Sequence, residues 1–195
     1  MRKTRNITSN KYLLLLSLMF LLVGCFVQMS EIEKDKSAGL NGGFEVSRNG
    51  LPVNWLMYTP NTVKDADFKI VLDNEVYKEG KQSLRFDVVK CSSIGGRYSP
   101  GFTNEFFESG KFEGEGSYKL SFWVKNGGST FKISAGGVSA MKGNMMVLVD
   151  EKKQISDWKL LEYQIDIPKD NWLRMELNVL QPGTFWIDDI QIKKI

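Results

Sequence analysis

The chain has 195 residues, 42% hydrophobic and 25% charged, with 26 Lys and Arg against 23 Asp and Glu and a formal net charge of +3. That near balance excludes the dense basic surface a nucleic-acid partner needs. Histidine is absent, which excludes His-dependent triads, His-ligated zinc and a His general base, and leaves any catalysis to carboxylate, Tyr or Lys.

The N-terminus sets the first element. Residues 1–11 carry Arg2, Lys3, Arg5 and Lys11 and no acid, and the uncharged run Tyr12–Val23 follows. Those 12 residues fall short of the roughly 20 that span a bilayer as a helix. A basic stretch, a short apolar stretch and small residues at the cut describe a secretion signal. The next residues, Leu22-Val23-Gly24-Cys25, resemble the lipobox of bacterial lipoproteins. The resemblance implies cleavage after Gly24, diacylglycerol on Cys25, and display on the cell envelope, at the outer membrane or cell surface. Loss of residues 1–24 removes four cations and leaves 22 against 23 acids, a net charge of −1 over 171 residues. That length suits one domain with a full core. With Cys25 lipidated, Cys91 has no disulfide partner and reads as a small strand-end residue. Residues 25–39 mix charges without periodicity and read as a tether. Glu31–Asp35 is weakly similar to surface-export signals of some lipoproteins.

From Leu40 onward the period is two, which predicts strands. Leu84, Phe86 and Val88 alternate with Ser83, Arg85 and Asp87; Tyr118, Leu120, Phe122 and Val124 alternate with polar residues that Trp123 interrupts. Phe131 and Ile133, then Leu161, Tyr163, Ile165 and Ile167, then Leu173, Met175, Leu177 and Val179 repeat the pattern. Phe185–Ile192 is apolar on both faces, as a central strand would be. On simple alternation Trp186, Asp188, Ile190 and Ile192 share a face. Asn49-Gly50, Glu79-Gly80, Gly95-Gly96, Asn126-Gly127-Gly128, Gly136-Gly137 and Pro182-Gly183 mark turns. No amphipathic helix of three turns appears. The expectation is one all-β domain over residues 40–195, a jelly-roll β-sandwich.

Several segments carry a family resemblance. Leu40-Asn41-Gly42-Gly43-Phe44-Glu45 with Gly50-Leu51-Pro52-Val53-Asn54-Trp55, then Gly80-Lys81-Gln82-Ser83-Leu84, Tyr118–Lys125, Trp158 with its strand ending at Pro168, and Gly183–Ile190 resemble the galactose-binding-like jelly rolls of carbohydrate-binding modules, the cellulose- and xylan-binding kind. The resemblance implies a structural calcium between first and last strands. Its ligands here would be Glu45 and Asp188, with oxygens near Lys81–Ser83; hard oxygens suit that ion. The other reading is that Asp188 caps a turn or takes backbone N–H bonds with no ion.

Sugar rings offer flat C–H faces and a hydroxyl rim, so a binding site pairs aromatics with planar polar groups. Outward parity selects Trp123, and on the late strand the same-face row Trp172, Arg174, Glu176 and Asn178; Arg97 and Tyr98 in the Ser92–Gly101 loop would close one edge. The alternative is a merely solvated face. Trp55, Trp158 and Trp186 read as core or rim packing, and Phe102, Phe106 and Phe107 as a loop packed on the sandwich or a binding lip. The leading expectation is a noncatalytic glycan-binding lipoprotein, with polysaccharide, membrane and neighbouring envelope proteins as partners and no nucleic acid. The alternative is a structural or protein-interaction lipoprotein on the same fold. A glycosidase needs two carboxyls about 5–9.5 Å apart, which the adjacent Asp188-Asp189, the turn acids Glu113 and Glu115, and the loop acids Asp65 and Asp67 do not promise.

Overall fold

Alternation of apolar and polar side chains produces two stacked antiparallel sheets. The computed structural model describes residues 32–104, 115–139 and 143–195, all in one compact unit, Ile32–Ile195. The secretion signal, Cys25, Phe106, Phe107 and Glu113 lie outside the described residues. The chain runs β1 (Ser47–Arg48), β2 (Leu51–Pro52), β3 (Leu56–Tyr58), β4 (Asp67–Asp73), β5 (Ser83–Lys90), β6 (Gly101–Thr103), β7 (Gly116–Asn126), β8 (Phe131–Val138), β9 (Gly143–Glu151), β10 (Ile155–Ile167), β11 (Trp172–Val179) and β12 (Gly183–Lys194). The first sheet has the order β10-β7-β12-β5-β4 and the second β3-β6-β11-β8-β9, while β1 and β2 form a separate hairpin. At its tip Asn49 and Gly50 both have positive φ, 52° and 77°, as the tight turn of a two-residue hairpin demands. Apart from the short turns Lys36–Ala38 and Gly96–Tyr98, no helix occurs among the described residues.

The core lies between the sheets. Phe131 of β8 meets Phe185 of β12 with ring centroids 4.5 Å apart, and Phe86 of β5 stacks on Phe102 of β6 at 6.5 Å. Truncating such a ring to Ala costs about 3–5 kcal/mol. Phe102 is therefore a core strand residue, packed also against Trp55 and Phe44, and not part of a surface lip. Trp55 is buried as expected and donates its indole N–H to the Asn41 carbonyl at 3.1 Å. β12 is the central strand of its sheet, also as expected.

Alternation fails at one place that matters. Pairing of β12 with β7 slips between Asp188 and Gln191, and Asp189 adopts φ 45°. This bulge resets the face. Trp186 and Asp188 lie on the outer side, whereas Ile190 and Ile192 return to the core; the four do not share a face. Gly42 sits against the bulge so closely that a Cβ would lie 1.8 Å from the Ile190 carbonyl oxygen, while Ile190 N–H donates to Gly42 O at 3.0 Å.

Residues before Leu40 are part of the domain. Asn54 N–H donates to Glu33 O at 2.9 Å, its side-chain amide donates to Asp35 O at 2.7 Å and Gly39 O at 2.9 Å, and its Oδ1 accepts from Asp35 N–H at 2.8 Å. Within the stretch read as tether, residues from Glu33 onward are thus fastened to the sandwich. Cys91 stands just past the end of β5, partly buried and without a disulfide; burial pushes its thiol pKa up.

Candidate functional site

β11 alternates cleanly: Leu173, Met175 and Leu177 are buried, and Trp172, Arg174 and Glu176 are only partly so on the outer face of the second sheet. Register extends that face across the strands. Glu176 stands opposite Thr103 of β6 and Ser134 of β8; Asn178 stands opposite Gly101 and Lys132; Thr103 in turn pairs Leu56 of β3, and Gly101 pairs Tyr58. The Tyr58 phenol donates to Glu176 Oε1 at 3.0 Å, Arg174 Nε donates to Thr103 Oγ1 at 3.2 Å, and Arg174 Nη2 lies 3.7 Å from Glu176 Oε2. Burial first, and the Glu176 charge second, push the Tyr58 pKa well up, so the phenol stays a donor. Arg174 and Glu176 keep 24% and 17% of their side chains exposed. A guanidinium fork and a carboxylate thus lie fixed beside one another with edges open to solvent, able to bind a neutral polyol through planar hydrogen bonds.

A pinned loop closes one end. Asn178 is only 3% exposed. Its Oδ1 accepts from Gly96 N–H at 2.9 Å, and its Nδ2 donates to Gly96 O at 3.0 Å. Ser99 Oγ accepts from Gly95 N–H at 3.0 Å and donates to Ser92 O at 2.6 Å. Gly95 and Gly96 have φ of 84° and 56°, a conformation glycine takes without a Cβ clash. The loop is therefore ordered yet holds Arg97 and Tyr98 outward, with Tyr98 67% exposed. Asn178 is a positioning residue, since both ends of its amide hold the loop. Trp172 stands at the opposite end of the β11 row, opposite Val138.

Trp123 is elsewhere. It lies in β7 on the outer face of the first sheet, between Leu160 and Asp188 in register, with Lys78 Nζ 4.4 Å above its ring. The structure brings together Trp172, Arg174, Glu176, Asn178, Arg97 and Tyr98 around the second sheet and leaves Trp123 out. Tyr58, Thr103, Lys132 and Ser134 join that face without having been singled out. For Lys132 and Ser134 the signal existed, as outward positions flanking Phe131 and Ile133; β3 and β6 are three residues each, too short for periodicity to show.

The first sheet carries its own polar cluster. Asp73 Oδ2 accepts from Arg85 Nη1 at 2.6 Å and from the Trp186 indole at 2.9 Å, while its Oδ1 accepts from Glu75 and Val76 N–H at 3.0 and 3.1 Å. Arg85 also reaches Asp87 at 3.1 Å. Burial works to raise the Asp73 pKa, but these donors hold it at about 2.

Glu45 and Asp188, the pair implied for calcium, do converge. A Cβ at Gly43 would lie 3.9 Å from Glu45 Oε1 and 4.0 Å from Asp188 Oδ1. What faces these carboxylates is amide nitrogen. Lys78 and Glu79 N–H donate to Asp188 Oδ2 at 2.7 and 3.0 Å, and Asp189 N–H to Oδ1 at 2.7 Å. Lys81 and Gln82 N–H donate to Glu45 Oε1 at 2.8 and 3.4 Å. Calcium takes about six to eight oxygens. Among the described residues no three Asp, Glu, His or Cys side chains cluster to start such a shell, and the lone pairs at hand point at N–H dipoles. As arranged, this donor set does not fit calcium. Amides of one turn stabilise the fully buried Asp188, although burial still pushes its pKa up.

No family model matches the chain, and no curated protein matches it in sequence. Solved structures do. The CBM22-1 xylan-binding domain of Paenibacillus barcinonensis Xyn10C is 15% identical at a TM-score of 0.56, covering 79% of this chain and 92% of that one. The C-terminal family 22 carbohydrate-binding module of Clostridium thermocellum Xyn10B is 16% identical at 0.53, covering 78% and 91%. The enzymatically active domain of tailspike protein 4 from bacteriophage CBA120 is 15% identical at 0.58, covering 80% of this chain and 21% of that one. The chain shares the jelly-roll fold of the two carbohydrate-binding domains, and at these identities the likeness concerns the fold alone.

Proposed function

We propose that this protein is a noncatalytic glycan-binding lipoprotein that holds a polysaccharide chain against the outer face of its second sheet, tethered to the cell envelope through lipid on Cys25. The observation that carries the reading is the partly exposed Arg174–Glu176 pair, held by Tyr58 and Thr103 next to a loop whose own hydrogen bonds hold Tyr98 out in water. Fixed planar donors and acceptors beside an open aromatic are what a sugar ring engages. The xylan-binding domains that share the fold support a β-linked plant polysaccharide as the first ligand to try.

The test is calorimetric titration with xylan, mixed-linkage glucan and cellulose oligosaccharides. Glu176→Gln and Tyr98→Ala are expected to weaken binding at least tenfold, the order of one or two hydrogen bonds or a stacking contact. Trp123→Ala, on the other sheet, is expected to leave it unchanged. Loss of binding in Trp123→Ala with none in Glu176→Gln would move the site to the first sheet. Release of reducing sugar from any of these polymers would overturn the noncatalytic assignment. An interaction role on the same fold draws support from β9, which among the described residues pairs with β8 alone and exposes Met146 and Val147 on that edge strand; it becomes the working reading if no glycan binds.

A further inference from the structure

The charge on the proposed face is unevenly matched, and the mismatch sits at Lys132. Lys132 points outward between the buried Phe131 and Ile133 and is itself half-buried. In register it lies between Asn178 of β11 and Asp150 of β9. Its ammonium turns toward β11 and the loop: a Cβ at Gly95 would lie 3.2 Å from Lys132 Nζ and 3.2 Å from Asn178 Oδ1. Among the described residues Lys132 forms no ion pair. Asp150, its exposed neighbour on β9, makes no ion pair with it, and Glu176 is engaged by Tyr58 through one oxygen and by Arg174 through the other. Arg97 adds a further positive charge on the exposed rim of the same loop. Lys132 is thus a cation on this face that forms no ion pair, beside a carboxylate, Glu176, whose two oxygens are engaged by Tyr58 and Arg174.

A partly buried lysine that forms no ion pair gains a charge-assisted hydrogen bond from an anionic partner. Neutral sugars offer it only hydroxyl oxygens, whereas a uronic acid offers a carboxylate. We infer that the face selects acidic polysaccharides, with Lys132 pairing with the carboxylate of a uronic acid side group or backbone unit. This rests on the glycan-binding reading above and names the ligand class of that same face.

The experiment uses the full chain in non-ionic detergent, titrated with glucuronoxylan and with the same polymer after chemical reduction of its carboxyl groups. The wild-type protein is expected to prefer the acidic polymer by about tenfold at low salt, the order of one charge-assisted hydrogen bond. The preference should shrink as ionic strength rises and shortens the Debye length. Lys132→Met should bring the two affinities together, and Lys132→Arg should keep them apart, with unchanged circular dichroism confirming that both variants fold. Equal wild-type affinity for the two polymers, or a preference that survives Lys132→Met, overturns the inference while leaving glycan binding in place. Failure of the wild type to bind either polymer or any member of the neutral panel removes both.

Discussion

Asn178→Ala separates a residue that touches ligand from one that holds a loop. The side chain is buried and makes two hydrogen bonds, both to the backbone of Gly96. Each contributes about 0.5–1.5 kcal/mol net, and loss of the packed amide adds to that, giving roughly 2–3 kcal/mol. For a domain of this size 1 kcal/mol moves the melting temperature by about 2–4 °C, so Asn178→Ala should lower it by roughly 4–12 °C. The loop that carries Arg97 and Tyr98 would then have to be ordered on binding, at about 0.5–1.5 kcal/mol per side chain, which weakens affinity by about tenfold. Scanning calorimetry, glycan titration and hydrogen exchange at the Gly96 amide read the three effects. Affinity lost without loss of Gly96 protection would mean that Asn178 contacts the glycan directly. Protection lost without any change in affinity would mean that the loop is no part of the site.

Asp73 gives a pH signature. Its carboxyl is held at about 2 in the folded protein against an ordinary 3.8, so its stabilisation is complete above about pH 4 and is lost as pH falls through 2. That difference is worth about 2 kcal/mol. Asp73→Asn should be less stable by roughly that amount at pH 7, with the gap closing toward pH 2 in urea unfolding. Gly42→Ala forces a Cβ to within 1.8 Å of the Ile190 carbonyl oxygen and should cost about 1–3 kcal/mol as an overpacked contact, measurable in the same assay. Because backbone amides line the Glu45–Asp188 junction, a calcium chelator should leave the melting temperature where it is. A rise of several degrees on adding calcium would show that the ion displaces those amide contacts.

The strands were legible wherever one face is buried and the run is long, as in β5, β7 and β11, because burial on one side imposes period two; β12 was legible instead as a run apolar on both faces, bounded by Pro182-Gly183. β9 was not, for it is an edge strand whose register with β8 shifts between Ile133 and Ser134, and a bulge breaks the alternation that pattern reading uses. β4, at the edge of the first sheet, sets Phe68, Ile70 and Leu72 against Asp67, Lys69 and Asp73, but Val71 makes Ile70-Val71-Leu72 an unbroken apolar run that blurs the alternation. The bulge at Asp189 is the costliest omission. Nothing in Ile187-Asp188-Asp189-Ile190 announces a left-handed residue, yet it turns Ile190 and Ile192 back to the core, away from the face of Trp186 and Asp188. The row Trp172, Arg174, Glu176 was readable from parity alone. That Asn178 faces inward to a loop, and that Trp123 belongs to the other layer, depends on connections between segments about 80 residues apart, as with Gly96 and Asn178, which no local pattern encodes.

Both outer faces of the sandwich carry tryptophan, arginine and acids, so composition cannot choose between them; the state of their polar atoms does. On the first sheet Arg85 lies between Asp73 and Asp87, the Trp186 indole N–H is taken by Asp73, and lysines lie over both Trp123 and Trp186. That network is closed on itself, and a ligand would have to break contacts worth as much as those it offered. On the second sheet the contacts fix orientation but leave the edges of Arg174 and Glu176 in water, hold Tyr98 outward, and leave Lys132 without a carboxylate. Groups held in place before a ligand arrives need less ordering on binding, which is what preorganisation means energetically. The two faces therefore separate a scaffold from a site on one criterion, and Trp123→Ala set against Glu176→Gln puts that criterion to a direct test.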